Sequence, residues 1–579
     1  MKKKTLKVVL CVCTLLVLLL AIIFPKATWA YLVELVLALA VIGILAFNAS
    51  EKNNAGRVIL IVFIGLMLLS WIIPAAYFSG DYVDQGRAQM GLFDMFNYPL
   101  TALSYFGYIT LFIILVGGFY GILHKIPAYR SFLDRIVKAF RGKELVLLSI
   151  MVVVIALLVS FCGLHIGVAL FIPFVVALIL MMGYDRMTAA LVTVGGISAG
   201  LIGTTYASSN ISVLVQSLAL KLGYSMGVRV IILLAAIAVV IFNVIVYVKR
   251  NLEKVKVVKK ETKTEKVVEV KTSKTTVTKK TTKKAAPKKS SKSSSKSTKK
   301  KNSNKAALKD GKVIVLTEAE SVGNESGYIP KGSSSKHSVW PFVVLFVLLL
   351  ILVVLAFVSW DAEGIGIKLF ADVTQSVTNY EMFKFPIFAK VLGTVNAFGA
   401  WTITDMFVPL ALIVLLLSLI YKVSFDEVLE GFIDGAKKAL GPAVVSLLVY
   451  GILVLVTYHP FQLVIYNTLL SLNKGFNVLT TTIIAILASL FNSDVAYTFQ
   501  SVLPYYVTKV TNLKDFSIVG IIFTSMYGLT ALVAPTSLVL MGVLSYLKVS
   551  YKDWLKTVWK LLLELFVILL IIFIILALV

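Results

Sequence analysis

What this chain can become is limited first by its apolar runs. LVLLSIMVVVIALLVS, VILIVFIGLMLLSWII and the closing LLLELFVILLIIFIILALV are three of many with hardly a charge. Such runs approach or exceed the ~18 residues that, as a helix, cross a ~30 Å hydrocarbon layer. With 59% of residues hydrophobic, the chain reads as a polytopic membrane protein. Its three cysteines, Cys11, Cys13 and Cys162, lie in or beside such runs, which gives neither a disulfide framework nor a CxxC metal pattern. Four histidines, His124, His165, His337 and His459, are scattered without ligand spacing, and no Walker or HExxH signature occurs. Soluble-enzyme chemistry is not expected, nor is a resident cofactor.

The formal net charge of +27 is concentrated rather than spread. Residues 251–337 hold 24 Lys, no Arg and 8 acidic residues, so 24 − 8 = +16 comes from this one segment. Its centre, KKTTKKAAPKKSSKSSSKSTKKKNSNK, has almost nothing to bury and is expected to be a disordered linker. Each Lys near an anionic leaflet contributes about 1 kcal/mol of attraction, so contact with anionic lipid is a binding role open to such a segment. A specific nucleic-acid partner is not expected.

Positive-inside bias sets the topology. The runs 8–24 and 31–47 form an N-terminal hairpin, domain 1–50. ATWA resembles a signal-peptidase site, but the length of the first run and the second run directly behind it favour a retained helix. The pass 57–78 leads to the acidic stretch SGDYVD, and 106–123 returns to KIPAYRSFLDRIVKAFRGKE, a basic cytoplasmic surface helix. Next come two apolar arms around FCGLH, readable as two passes or as one re-entrant hairpin; Arg186 beyond the second arm favours the hairpin. The segment holding GTTYASSN crosses outward and 229–248 returns, closing a first transport repeat at 51–250. The linker is then 251–338. In 339–579, passes at 339–360 and 407–421 precede a second surface helix, SFDEVLEGFIDGAKKAL. A pass at 444–465, a second hairpin around FNSDVAYTFQ and crossings at 516–547 and 561–579 complete about eleven transmembrane passes. The N-terminus and linker face the cytoplasm of what reads as a bacterial cell membrane, and the C-terminus lies outside.

Two of these crossings are interrupted at their centres, by GTTYASSN (203–210) and by APTS (534–537). Irregular backbone survives in hydrocarbon only where it lines a protein-enclosed cavity, and Gly203 and Pro535 both weaken helix continuity. Each break follows a hairpin tip at a similar distance: 203 − 163 = 40 residues from Gly163, and 535 − 493 = 42 from Ser493. An odd number of passes separates the hairpins, so the halves are inverted. The expected fold is therefore an all-α polytopic membrane protein of inverted repeats, with two re-entrant hairpins and two discontinuous helices.

Such breaks and tips meet at transport sites. The candidate substrate and ion ligands are Gly203, Thr204, Thr205, Ser208, Ser209 and Asn210 at the first break and His165 at the first tip. Asn492, Ser493 and Asp494 belong to the second tip, and Pro535, Thr536 and Ser537 to the second break. Asp494 stands out, since an acidic side chain in a membrane segment costs at least ~2.5 kcal/mol; a shallow, hydrated tip is the plainer explanation. For the hydroxyls the plainer explanation is helix packing, for APTS a tolerated proline kink, and for His165 a satisfied structural histidine.

SYFGYITLFIILVGGFYGILHKIPAYRSFLDRI, MMGYDRMTAALVTVGGISAGLIGTT and MYGLTALVAPTSLVLMGVLSYLKVSYKDWLK resemble the YfcC/DcuC-type four-carbon dicarboxylate anaerobic carriers of the ion-transporter superfamily. The resemblance covers roughly 57–579 outside the linker, with the N-terminal hairpin and the Lys-rich insert as additions. It implies paired hairpins in inverted repeats. It maps Gly203 and Thr204 to the first break, Ser493 to a serine-rich second tip, and Pro535, Thr536 and Ser537 to the second break. The chain departs from the family pattern in three places. Cys162, Gly163, Leu164 and His165 stand where acidic residues are usual, Tyr206 and Ala207 where Asn and Pro follow the break, and Asp494 in a tip that is usually uncharged.

The expected function is secondary active transport of a small organic anion or an amino acid, driven by a Na+ or H+ gradient through alternating access. Na+ is then a transported ion, and Asp494 suits it or an ammonium. A homodimer is compatible with this reading. The alternative is a membrane-embedded interaction protein that recruits an anionic partner through the linker. A channel is disfavoured by the buried half-helices.

Overall fold

The computed structural model describes residues 3–24, 28–49, 55–86, 88–272, 327–330, 338–361, 365–393, 395–473, 475–492 and 494–578. It divides into one unit of Met1–Ile245 with Ala319–Val579 and a second of Val246–Glu318; the first carries the fold.

α1 (Lys3–Ile23) packs on α2 (Thr28–Ala49), and α2 on α3 (Ala55–Ile72). The expected crossing 57–78 stops at Ile72. Pro74 has no N–H with which to continue a helix, and the chain turns into a hairpin of β1 (Ala75–Ser79) and β2 (Asp81–Gly86) around Gly80, whose φ of +80° suits glycine. Among the described residues this is the one sheet in an otherwise helical chain. α4 (Asp94–Lys125) begins well before the expected 106. α5 (Pro127–Ala139) is the expected amphipathic helix: Ala128, Tyr129, Phe132 and Leu133 are buried while Arg135 and Lys138 are exposed.

The first repeat continues with α6 (Glu144–Cys162), a 3-10 turn (Gly167–Leu170), α7 (Ile172–Met181), α8 (Arg186–Ile202), α9 (Ser208–Ser217) and α10 (Met226–Thr272). Ten residues of α7 rise only about 15 Å, half the hydrocarbon layer, so α7 is too short for a pass of its own, as the hairpin expects, while the 19 residues of α6 reach the length of a span. α10 runs on to Thr272, into the expected linker. Residues 273–326 and 331–337 of that linker expectation lie outside the described residues.

α11 (Trp340–Phe357) is followed by two short helices, α12 (Leu369–Thr378) and α13 (Ile387–Leu392), and then by α14 (Phe407–Tyr421) and α15 (Phe425–Tyr458). The separate surface helix expected over SFDEVLEGFIDGAKKAL does not exist, because that stretch is the first half of the 34-residue α15. Ser424 starts it with a capping box: its Oγ accepts the Glu427 N–H at 3.3 Å, and Glu427 Oε2 accepts the Ser424 N–H at 2.9 Å. The helix stays continuous because a small-residue face lies along α4. Gly431 and Gly435 meet Gly117 and Gly121 so closely that a Cβ at Gly435 would overlap the Gly117 carbonyl, and one at Gly121 the Gly431 carbonyl. Close backbone approach at four-residue spacing is how helices associate in lipid.

The second repeat has α16 (Gln462–Ser471), α17 (Val478–Phe491), α18 (Val495–Gln500), α19 (Leu503–Lys509), α20 (Leu513–Thr530), α21 (Leu538–Leu547) and α22 (Tyr551–Leu578). Hairpin, broken helix and closing helix therefore recur in the same order. Five crossings (α8–α9, α10, α11, α14, α15) lie between the hairpins, an odd number that inverts the second set. Eight helices are long and apolar enough to span a membrane, and shorter apolar ones accompany them. The core sits on the broken helices: α8 is buried without interruption from Thr188 to Ile202 and α20 from Val519 to Thr530, as befits helices enclosed on every side.

Candidate functional site

The two broken helices cross at the first break. Ser525 Oγ of α20 donates to Ile202 O at 3.1 Å, and a Cβ at Gly528 would overlap the Ile202 N–H. Both hairpins close on this crossing, since α18 of the second tip packs against α9, and α6 against α8.

At the first break the chain leaves helix at Gly203, whose φ of −108° needs no glycine. The constraint is space: a Cβ there would overlap Leu233 of α10. Ser160 at the end of α6 holds the break, with Oγ donating to Gly203 O at 2.6 Å and its carbonyl accepting the Thr205 N–H at 3.0 Å. Thr205 Oγ1 also donates to Ser160 O at 3.0 Å, and Thr204 Oγ1 turns back to Leu201 O at 2.8 Å. Both threonine hydroxyls are thus satisfied by protein. Ser209 is exposed beside Gly163, which adopts φ +69° and has no room for a Cβ against Ser209 Oγ. Asn210, buried, places Oδ1 at 2.9 Å from His165 Nδ1 and leaves Nδ2 without a partner; His165 Nε2 is likewise unpartnered. His165 and Asn210 thereby join tip to break. Ser208 opens α9; its side chain lies outside the described residues.

At the second break, residues 531–537 separate α20 from α21. Thr536 Oγ1 donates to Leu490 O at 2.8 Å, tying break to hairpin, and Ser537 Oγ accepts the Leu540 N–H at 3.3 Å as the N-cap of α21. Pro535 stands between them, half-buried. Asn492 is buried and donates to Ala488 O at 3.0 Å and Ser501 Oγ at 3.3 Å; Ser493 lies outside the described residues. Asp494 N-caps α18, its Oδ1 accepting from Ala496 N at 2.9 Å and Tyr497 N at 3.2 Å. Tyr108, Tyr450 and Tyr527 stand close enough to feel its charge, and Phe106 stacks on Tyr450 at 4.3 Å.

A cleft of about 940 Å³ opens at this second tip, with Asn492, Gln500, Ser501, Gln462 and Thr457 among its lining residues. A cavity of about 670 Å³ beside the first tip is lined mainly by apolar side chains such as Ile113, Ile166, Pro173 and Leu538, with His165 and Tyr546 in its wall. The cleft at the second tip offers a polar substrate more polar contacts.

Sequence reading missed the residues that hold the breaks: Ser160, Ser525 and, above all, Arg229. The Arg229 guanidinium is buried and donates Nε–H to Thr204 O at 2.8 Å and Nη2–H to Thr205 O. Arg229 stands at the start of an apolar run, where it looks like an ordinary flanking charge.

Paired hairpins closing on two crossed, interrupted helices inside a multi-pass membrane protein define a membrane carrier. The chain belongs to the C4-dicarboxylate anaerobic carrier (DcuC) family, whose model matches residues 4–287 and 324–578. That match takes in the N-terminal hairpin, which is therefore part of the family pattern and not an addition to it. No curated protein and no solved structure matches the chain.

Proposed function

We propose that the protein is a secondary active carrier of small organic anions, with four-carbon dicarboxylates first among them, coupled to a Na+ or H+ gradient by alternating access. The observation that carries this is the crossing of the two broken helices at the first break, where Ser525 Oγ bonds Ile202 O and both hairpins pack close by. There Asn210 Nδ2, a buried donor, awaits an acceptor. The N-terminus of α9 adds its partial positive charge. The proposed orientation keeps the N-terminus and the Lys-rich segment in the cytoplasm and the C-terminus outside, as the positive-inside rule favours.

Amino acids are the second reading, and Asp494 favours it. Among the described residues only its Oδ1 is engaged, which leaves Oδ2 for an ammonium or a coupling cation. Uptake into proteoliposomes of the full chain, with a panel of dicarboxylates and amino acids and with a Na+ gradient, an H+ gradient or neither, tests both readings. Accumulation of succinate or fumarate is expected; no uptake of any panel member under either gradient would sink the carrier reading.

A further inference from the structure

The two breaks are built alike and capped differently. Past the end of the first half of a broken helix, the main-chain carbonyls of the break itself have no helical partners. In each repeat the helix that follows the broken one reaches back to take them. At the second break α22 does so with neutral donors: Trp554 Nε1–H gives to Leu532 O at 2.7 Å and Tyr551 Oη–H to Val533 O at 2.5 Å. At the first break α10 does so with a cation. Arg229, 2% exposed, holds Thr204 O and Thr205 O, and its Nη1 also donates to Leu222 O at 2.7 Å and Tyr224 O at 3.1 Å. Its guanidinium lies 4.5 Å from the Tyr224 ring centroid. Among the described residues no carboxylate pairs with it.

A buried cation without a counter-ion costs several kcal/mol. Capping alone does not demand it, since the second break is capped by a phenol and an indole. We infer that Arg229 is a positioning residue that gives the site its charge polarity, making the first break the end that receives a carboxylate of the substrate. It acts in two ways. It occupies the freed carbonyls of Thr204 and Thr205, which would otherwise offer lone pairs to a cation and repel an anion. It also leaves an uncompensated positive charge just behind the N-terminus of α9, where Asn210, 1% exposed, holds out its unpartnered Nδ2. Four of the five guanidinium N–H groups are already on main-chain carbonyls, so the effect is exerted through charge and placement rather than by touching substrate.

The inference rests on the carrier reading above, and the test separates the two. Full-length protein in proteoliposomes takes up labelled succinate in competition with succinamate, a monoanion, or with succinamide, the neutral diamide of the same shape. Wild type is expected to prefer succinamate by its lower inhibition constant. Arg229→Gln keeps amide donors but removes the charge, and this preference is expected to fall by about tenfold. Arg229→Lys keeps the charge and is expected to retain the preference even where kcat drops. A purely structural role would lower succinate uptake and leave the preference unchanged. An R229Q protein whose preference stays within about twofold of wild type, or an R229K protein that loses it as R229Q does, overturns the inference while leaving the carrier reading intact. If R229Q does not yield monodisperse protein, Ser209→Asp serves in its place, setting an opposing carboxylate at an exposed residue in the first turn of α9, where helices tolerate it. It should depress the same preference, and an unchanged preference again overturns the inference. A wild type that takes up no succinate overturns the carrier reading and this inference together.

Discussion

The carboxylate of Asp494 serves a helix and carries a charge, and two substitutions separate those roles. As the N-cap of α18 it accepts two main-chain N–H bonds, a task that Asn performs about as well. Asp494→Asn is expected to leave thermal stability within about 0.5 kcal/mol of wild type while abolishing or shifting the ion dependence of uptake. Asp494→Ala is expected to lose the same ion dependence and a further ~1 kcal/mol of stability. If D494N transports with unaltered ion dependence, the carboxylate is a cap and nothing more. At this scale the sequence was only partly legible. It identified Asp494 and Asn210 as polar groups in an apolar setting, and both sit at the tips and breaks. It also nominated Thr204 and Thr205, whose hydroxyls turn out to be bonded to Leu201 O and Ser160 O. A hydroxyl satisfied by a neighbouring carbonyl and one facing a ligand have the same one-letter code. Arg229 was invisible for a related reason: nothing local says that a boundary arginine folds back on carbonyls 24 and 25 residues earlier, as the bonds to Thr205 and Thr204 require.

Among the elements, α4 and α15 bear most directly on what holds the molecule together. In lipid there is little hydrophobic drive between helices, so their association depends on how closely the backbones approach. A methyl at Gly435 would overlap the Gly117 carbonyl, which is main chain and cannot swing aside. Gly435→Ala is therefore expected to cost about 1–3 kcal/mol through forced separation, read as a lower melting temperature in detergent. Gly43→Ala in α2, where a Cβ meets nothing within 4 Å, is the control and should not lower it, since Ala is the better helix former. Equal melting of G435A and wild type would mean that the glycine contact is not what joins the pair. Both glycine pairs, and the S-F-D-E capping signature before α15, were present in the sequence. The charged residues between them suggested a surface helix, because periodicity shows which face is polar but not whether the helix goes on past it. The breaks were easier to read, since proline and clustered hydroxyls have few other uses at the centre of a crossing.

Across the whole molecule, one short stretch inside the Lys-rich segment draws distant elements together. Gly327, Tyr328, Ile329 and Pro330 lie within the 251–338 span whose overall composition announces a spacer, and three apolar or aromatic side chains were lost in that average. Tyr328 and Ile329 are nonetheless buried. Tyr328 Oη–H donates to Tyr546 O near the end of α21, and its ring meets the Tyr546 ring edge-on at 5.2 Å. The Arg186 guanidinium of α8 lies 5.5 Å from the Tyr328 ring centroid. Arg130 of α5 donates to Pro330 O at 3.2 Å, and Lys438 of α15 donates to Gly327 O at 3.4 Å. The peptide thus pins the second half of one broken helix, the start of the other and the α4–α15 side of the fold at one place. Burial pushes the Tyr328 phenol up to about 12, against the pull of the Arg186 charge. Since the folded value exceeds the free one of about 10, the neutral phenol is the bound form. Its contribution is complete below pH ~10 and is lost as pH rises toward 12. Melting of the full chain in detergent should therefore rank wild type above Tyr328→Phe, which lacks only the hydroxyl, and Y328F above Tyr328→Ala, which lacks the ring as well. Between pH 9 and pH 11.5 the wild-type curve should fall toward that of Y328F, because Phe has no proton to lose. Curves that stay parallel over that range would show that the Tyr328 hydroxyl contributes nothing to holding the peptide in place.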